Sequence, residues 1–189
     1  MTVVTKLERL REVALDQHGL VTTAQAAAEG VSNAELSMMV ARDRLDRVAH
    51  GVYRVPQVPE TEFEPYQLAV LWTGAPEACL SHETALAAWE ISDVNPDRIH
   101  ITVSATRRIR RARGEQYVVH YEDIPPSNTT WWQGIRMVDV PTAITQAITS
   151  GAPTYLVRQA LERAGRTSLL LPIQFSQLSD DLEQRDART

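Results

Sequence analysis

Over residues 4–55 the apolar positions run at a helical period and then switch to an irregular alternation, a change that predicts helices followed by a hairpin. Val4, Leu7, Leu10, Val13 and Ala14 recur at helical spacing across residues 5–18, and Gly19 supplies the stop. Thr22 is placed to cap a short helix over residues 23–29, which Gly30 ends. Ser32 is placed to cap a third helix, with Glu35 completing the capping-box pattern. Leu36, Met39 and Val40 make that helix's apolar stripe, which leaves Asn33, Ser37, Ala41 and the flanking Arg42 outward. Leu45, Val48, Val52, Tyr53 and Val55 then alternate with Arg44, Arg47 and Arg54 about a His50-Gly51 turn, as a short hairpin would.

Pro56 and Pro59, followed by Glu60, Glu62 and Glu64, break the pattern and predict a linker with a boundary near residue 60. Tyr66, Leu68, Ala69, Leu71 and Trp72 suit a buried helix over residues 65–72, and Ser81 is placed to cap another running through Leu86 to Trp89. Residues 99–103, 117–121 and 135–138 are β-rich runs separated by loops, which imply a small sheet. Asp139 and Pro141 open a further helix, residues 155–164 form one more, and a short amphipathic segment leads to a charged tail expected to fray from Asp180. The fold class is therefore α+β. A winged helix-turn-helix domain is expected over residues 1–58, a larger α+β domain with a small sheet packed by helices over 64–175, and a charged tail over 176–189.

Charge bears on what the winged layout can bind. The net charge of −5 argues against indiscriminate coating of nucleic acid, because non-specific affinity comes from neutralised phosphates. Contact must then concentrate in local arginines, and Arg42, Arg44, Arg47 and Arg54 are the candidates beside a groove-reading third helix. A second basic run, Arg107, Arg108, Arg110, Arg111 and Arg113, falls between two expected strands and should form an exposed hairpin tip or loop that meets DNA, a partner protein or only solvent. Cys79 stands alone, which excludes an internal disulfide and reads as a small core residue. No apolar run approaches the roughly 20 residues that span a bilayer, and the N-terminus lacks signal-peptide features, so no membrane association and a cytoplasmic location are expected.

Catalytic chemistry finds little footing, and no enzyme activity, cofactor or metal is expected. His82 and Glu83 adjoin at a helix start without a third ligand at recognisable spacing, and His100 and His120 occupy strand positions, so each histidine reads as structural. No phosphate-binding glycine loop or serine-nucleophile motif occurs. A DNA-binding nuclease would draw on His82, Glu83, Glu90, Asp93 and Asp97, but the only lysine, Lys6, lies in the first helix instead of beside an acidic pair. Trp131 and Trp132 adjoin a polar loop, where one of them could anchor a protein interface or both could cover the sheet.

The segments HGVYRV and CLSHETALAAWEISDVNPDRIHITV resemble the AbiEi antitoxins of bacterial type IV toxin-antitoxin systems, and the resemblance runs over residues 7–170. The hairpin and the SHETAL helix also occur in relatives that carry an endonuclease-like domain, which this chain is expected to lack. The resemblance implies a protein that represses its own operon at inverted repeats of double-stranded DNA, bound as monomer or dimer, and that neutralises a cognate nucleotidyltransferase-like toxin. Carried onto matching positions, it places DNA contact on Ser32, Asn33, Ser37 and Arg42 of the third helix and on Arg44, Arg47, His50 and Arg54 of the wing. Asp43 departs from the pattern, since many relatives have glycine entering the wing, and its charge is expected to weaken phosphate contact or to pair with an arginine. The alternatives are a DNA-binding nuclease-related enzyme and a stand-alone regulator without a toxin partner.

Overall fold

The chain runs α1 (Lys6–Leu15), β1 (Leu20–Thr22), α2 (Thr23–Ala28), α3 (Asn33–Ala41), β2 (Asp46–Ala49), β3 (Val52–Arg54) and α4 (Glu64–Thr73) through its first part. The computed structural model describes residues 4–111 and 114–188. Within them, two units separate by contact: one holds residues up to 78 with 108–114 and 133–135, the other holds the rest.

In the first unit, α1, α2 and α3 each open on a capping box, formed by Thr5 with Glu8, Thr22 with Gln25 and Ser32 with Glu35. A side-chain cap stabilises a helix by about 1 kcal/mol, and helices this short need it because few hydrogen bonds offset nucleation. Leu10, Ala14, Val21, Ala26, Val31, Leu36, Leu45, Tyr53 and Val55 close the core between the helices and a three-stranded sheet of order β1-β3-β2. The hairpin stands where the sequence predicts it. Strand β1 is additional: it spans three residues, too few to carry a period, and its Thr22 also caps α2.

The linker expected after residue 55 is a packed segment. Val58 joins the N-terminal core, and α4 packs against β1 and β3, so the chain stays with the first unit through residue 78. Pro56 and Pro59 read as a break because proline ends regular structure, yet a proline-bounded turn can still bury the valine inside it.

With the exception of Ile135, the second unit holds β4 (Cys79–Leu80), α5 (His82–Ala88), β5 (Ile99–Val103), β6 (Tyr117–Tyr121), β7 (Thr129–Trp132), β8 (Ile135–Val138), α6 (Val140–Thr149), α7 (Thr154–Arg166) and α8 (Pro172–Asp186). Its sheet has the order β6-β5-β4-β8-β7, with β4 antiparallel to β5 and parallel to β8. Strands β5 and β6 are parallel, pairing Ile99 with Tyr117 and Val103 with Tyr121. Of the hairpin tip or loop expected for the basic run, that pairing leaves the loop, because parallel neighbours are joined by a crossover.

The charged tail expected to fray belongs to α8. Leu178 and Leu182 of this helix are buried, and Arg185 donates to the carbonyls of Ile148 and Ala152, so spaced apolar residues outweigh the surrounding charge. Among the described residues, no helix is long and apolar enough to cross a membrane.

Candidate nucleic-acid interface and an imidazole cluster

Helix α3 starts at Ser32, whose side chain accepts from the Glu35 amide while the Glu35 carboxylate accepts from Ser32 N–H at 2.9 Å. Lys6 of α1 donates to the same carboxylate at 2.6 Å. Together these contacts hold the Glu35 carboxyl down at about 2, the lysine being the larger cause and the Ser32 bonds adding to it. The start of α3 is thereby pinned to α1.

Leu36 faces the core, leaving Asn33, Ala34, Ser37, Met38 and Ala41 exposed along the opposite side of α3. Ser37 Oγ donates to the carbonyl of Asn33 at 3.0 Å, and both residues lie on this exposed face. Met38, half exposed, is absent from the sequence-predicted set; its place four residues after Ala34 and three before Ala41 was the available signal.

The wing arginines divide. Arg42, Arg44 and Arg47 are exposed, as is His50 at the turn. Arg54 is not: its Nε lies 3.2 Å from both carboxylate oxygens of Glu64, its Nη2 donates to the carbonyl of Val58, and its side chain is only 11% exposed. Arg54 is therefore withdrawn from the DNA-contact set. Alternation places a residue on a face, but only the packing of α4 shows that this face is covered.

Asp43 sits at φ 53°, one residue past the α3 cap, with its amide bonded to Val40 O and that of Arg44 bonded to Met39 O. This is a Schellman closure, whose left-handed residue is ordinarily glycine. The conformation explains why glycine suits the position and why aspartate, with a short polar side chain, is tolerated there. In the basic crossover, Arg108 and Arg110 are exposed, and Arg111 Nη1 donates to the carbonyl of His50 at 2.8 Å. Arg107 is half-buried, and Arg113 lies outside the described residues.

In the second unit, folding gathers the histidines that the sequence reads as separate. His100 on β5 and His120 on β6 share a sheet face, Nδ1 of the former lying 3.1 Å from Nε2 of the latter. The His82 ring stacks on that of His120 with centroids 3.4 Å apart. Burial pushes His82 down to about 3 and His120 to about 4, with neighbouring imidazoles adding to both shifts; His100 is lowered by burial, partly opposed by Glu83. All three rings are consequently neutral at pH 7. Register across a parallel pair is not written in either strand alone, so sequence spacing could not bring His100 to His120. Of the carboxylates that a nuclease would use, Asp93 is bound to Arg163 at 2.8 Å and to Gln159, and Glu83 faces His100.

Three capped helices and a three-stranded sheet in the order α1-β1-α2-α3-β2-β3 give the N-terminal unit the layout of a winged helix, and the whole chain is α+β. Residues 8–56, which cover that layout, match the model of the family described as "Transcriptional regulator, AbiEi antitoxin". The fold is similar to that of the RV2827C protein from Mycobacterium tuberculosis, with a TM-score of 0.53 at 16% identity over 97% of this chain and 78% of that one, a likeness that concerns the fold alone. No curated protein matches the chain.

Proposed function

We propose that the protein is a DNA-binding autorepressor and antitoxin. Its N-terminal unit reads inverted repeats in its own promoter, and its C-terminal unit neutralises a cognate nucleotidyltransferase-like toxin. The observation that carries the DNA half is the exposed face of α3, with Asn33 and Ser37, beside exposed Arg42, Arg44 and Arg47, within the segment that matches the regulator family. Asn33 reads a base edge while the arginines neutralise phosphates, so affinity falls with salt and preference rests on α3. Exposed Arg108 and Arg110 add phosphate contact through the basic crossover. The protein works in the cytoplasm, where promoter and toxin both reside.

The test is a salt series on the promoter duplex and on a scrambled duplex of equal length. The reading requires a steep log-log salt slope and a clear preference for the promoter; equal affinity for both duplexes would reject it. A stand-alone regulator is the second reading, favoured by the confinement of the family match to residues 8–56. Co-expression with the neighbouring gene separates the two: growth rescue and co-purification support the antitoxin, and their absence leaves the regulator.

A further inference from the structure

We propose that His82, His100 and His120 form a site for one late first-row divalent cation, Zn²⁺ foremost, that ties the start of α5 to strands β5 and β6. One ring nitrogen of each histidine lies within 4.8 Å of those of the other two. Two nitrogens bound to one tetrahedral zinc at its usual bond length stand roughly 3.3 Å apart, and His100 Nδ1 to His120 Nε2 is already 3.1 Å.

The groups around the rings orient them as outer-shell partners orient metal-bound imidazoles. Glu83 Oε2 lies 3.8 Å from His100 Nε2; a proton held there leaves the Nδ1 lone pair facing His120. Ser81 Oγ lies 3.0 Å from His82 Nδ1 and accepts from Thr102 Oγ1 at 2.8 Å; in the tautomer whose Nδ1–H donates to Ser81, Nε2 of His82 is left for a ligand. The backbone is fixed as well: His82 takes a φ of 52°, and its amide donates to Gln146 Oε1, whose own amide donates to Glu122. A bulky residue in the left-handed region persists only where its surroundings over-determine it.

The donor set selects the ion. Neutral imidazoles suit zinc, nickel and copper, whereas calcium and magnesium require oxygen ligands that this inner set lacks. Three protein ligands also leave a fourth position for water. Because a lone pair lies in the plane of its ring, one of the stacked rings, His82 or His120, must turn as the ion enters, and that movement gives binding its own signature.

The experiment uses the full chain without a histidine tag, stripped of metal and titrated with Co²⁺ and then Zn²⁺. One equivalent of Co²⁺ should bind with tetrahedral visible absorption and be displaced by Zn²⁺. In nitrogen-resolved histidine spectra, His82, His100 and His120 should shift with Zn²⁺ while His18 and His50 do not. Glu83→Gln should weaken Zn²⁺ binding roughly 10- to 100-fold and His120→Ala by more. Absence of one-to-one binding, an octahedral cobalt spectrum, or shifts confined to His18 and His50 would each overturn the proposal. If His120→Ala does not fold, the ring-nitrogen spectra of the unmodified chain decide alone.

Discussion

Arg54 at the end of the wing is held by Glu64 of α4, its Nε 3.2 Å from both carboxylate oxygens, so an arginine that alternation assigns to DNA closes the N-terminal unit instead. Both side chains are largely covered, 11% and 19% exposed, and removing Arg54 would leave the Glu64 charge covered without its partner. Arg54→Ala should therefore lower stability by about 2 kcal/mol while leaving the salt slope of DNA binding unchanged. Chemical denaturation and a salt series on the same preparation check the pair of outcomes; a slope that falls by a full contact would return Arg54 to the interface.

Arg44 and Arg47 should behave in the opposite way. Both are exposed, and each substitution by alanine should weaken binding to every duplex and reduce the salt slope by about 1, with stability nearly unchanged. Asn33→Ala should instead cost about 1–3 kcal/mol against the promoter and little against a scrambled duplex. A uniform loss for Asn33 would mean that α3 does not read bases.

Asp43 can be tested for its backbone and its charge together. At φ 53° glycine relieves the left-handed cost, so Asp43→Gly should stabilise the protein by about 1 kcal/mol, read as a rise in denaturation midpoint. The same change removes an anion between exposed Arg42 and Arg44 and should tighten DNA binding at low salt. Asp43→Asn separates the effects: it keeps a side chain suited to positive φ and should show most of the binding gain with little gain in stability.

Local signals in the sequence were enough for elements whose determinants are local. Ser32 and Glu35 announce α3, Asp139 announces α6, and the β-rich runs coincide with β5, β6 and β8 at both ends. What depends on distant pairing was not legible. Two-residue β4 has no period to show, the choice between hairpin tip and loop for the basic run rests on the parallel register of β5 and β6, and α4 covers Arg54 from ten residues away. The imidazole cluster needs all of these at once, since His82 follows β4 while His100 and His120 meet only through that register.

Acid should loosen the N-terminal unit through Glu35. Its carboxyl is held at about 2 in the folded chain, against an ordinary value of 4.5, by Lys6 first and by the Ser32 bonds next. For an acid whose folded value is depressed, the stabilisation is complete above the ordinary value and is lost as pH falls through the interval down to the folded one. The contribution of Glu35 should therefore be intact at pH 6 and decline from about pH 4.5 towards 2. Glu35→Gln retains the polar cap but not the charge, so it should lower the denaturation midpoint at pH 6 and narrow its difference from the parent chain towards pH 2. Measuring both midpoints across that range checks the argument, and a difference that stays constant with pH would assign the effect to packing instead of to the ion pair.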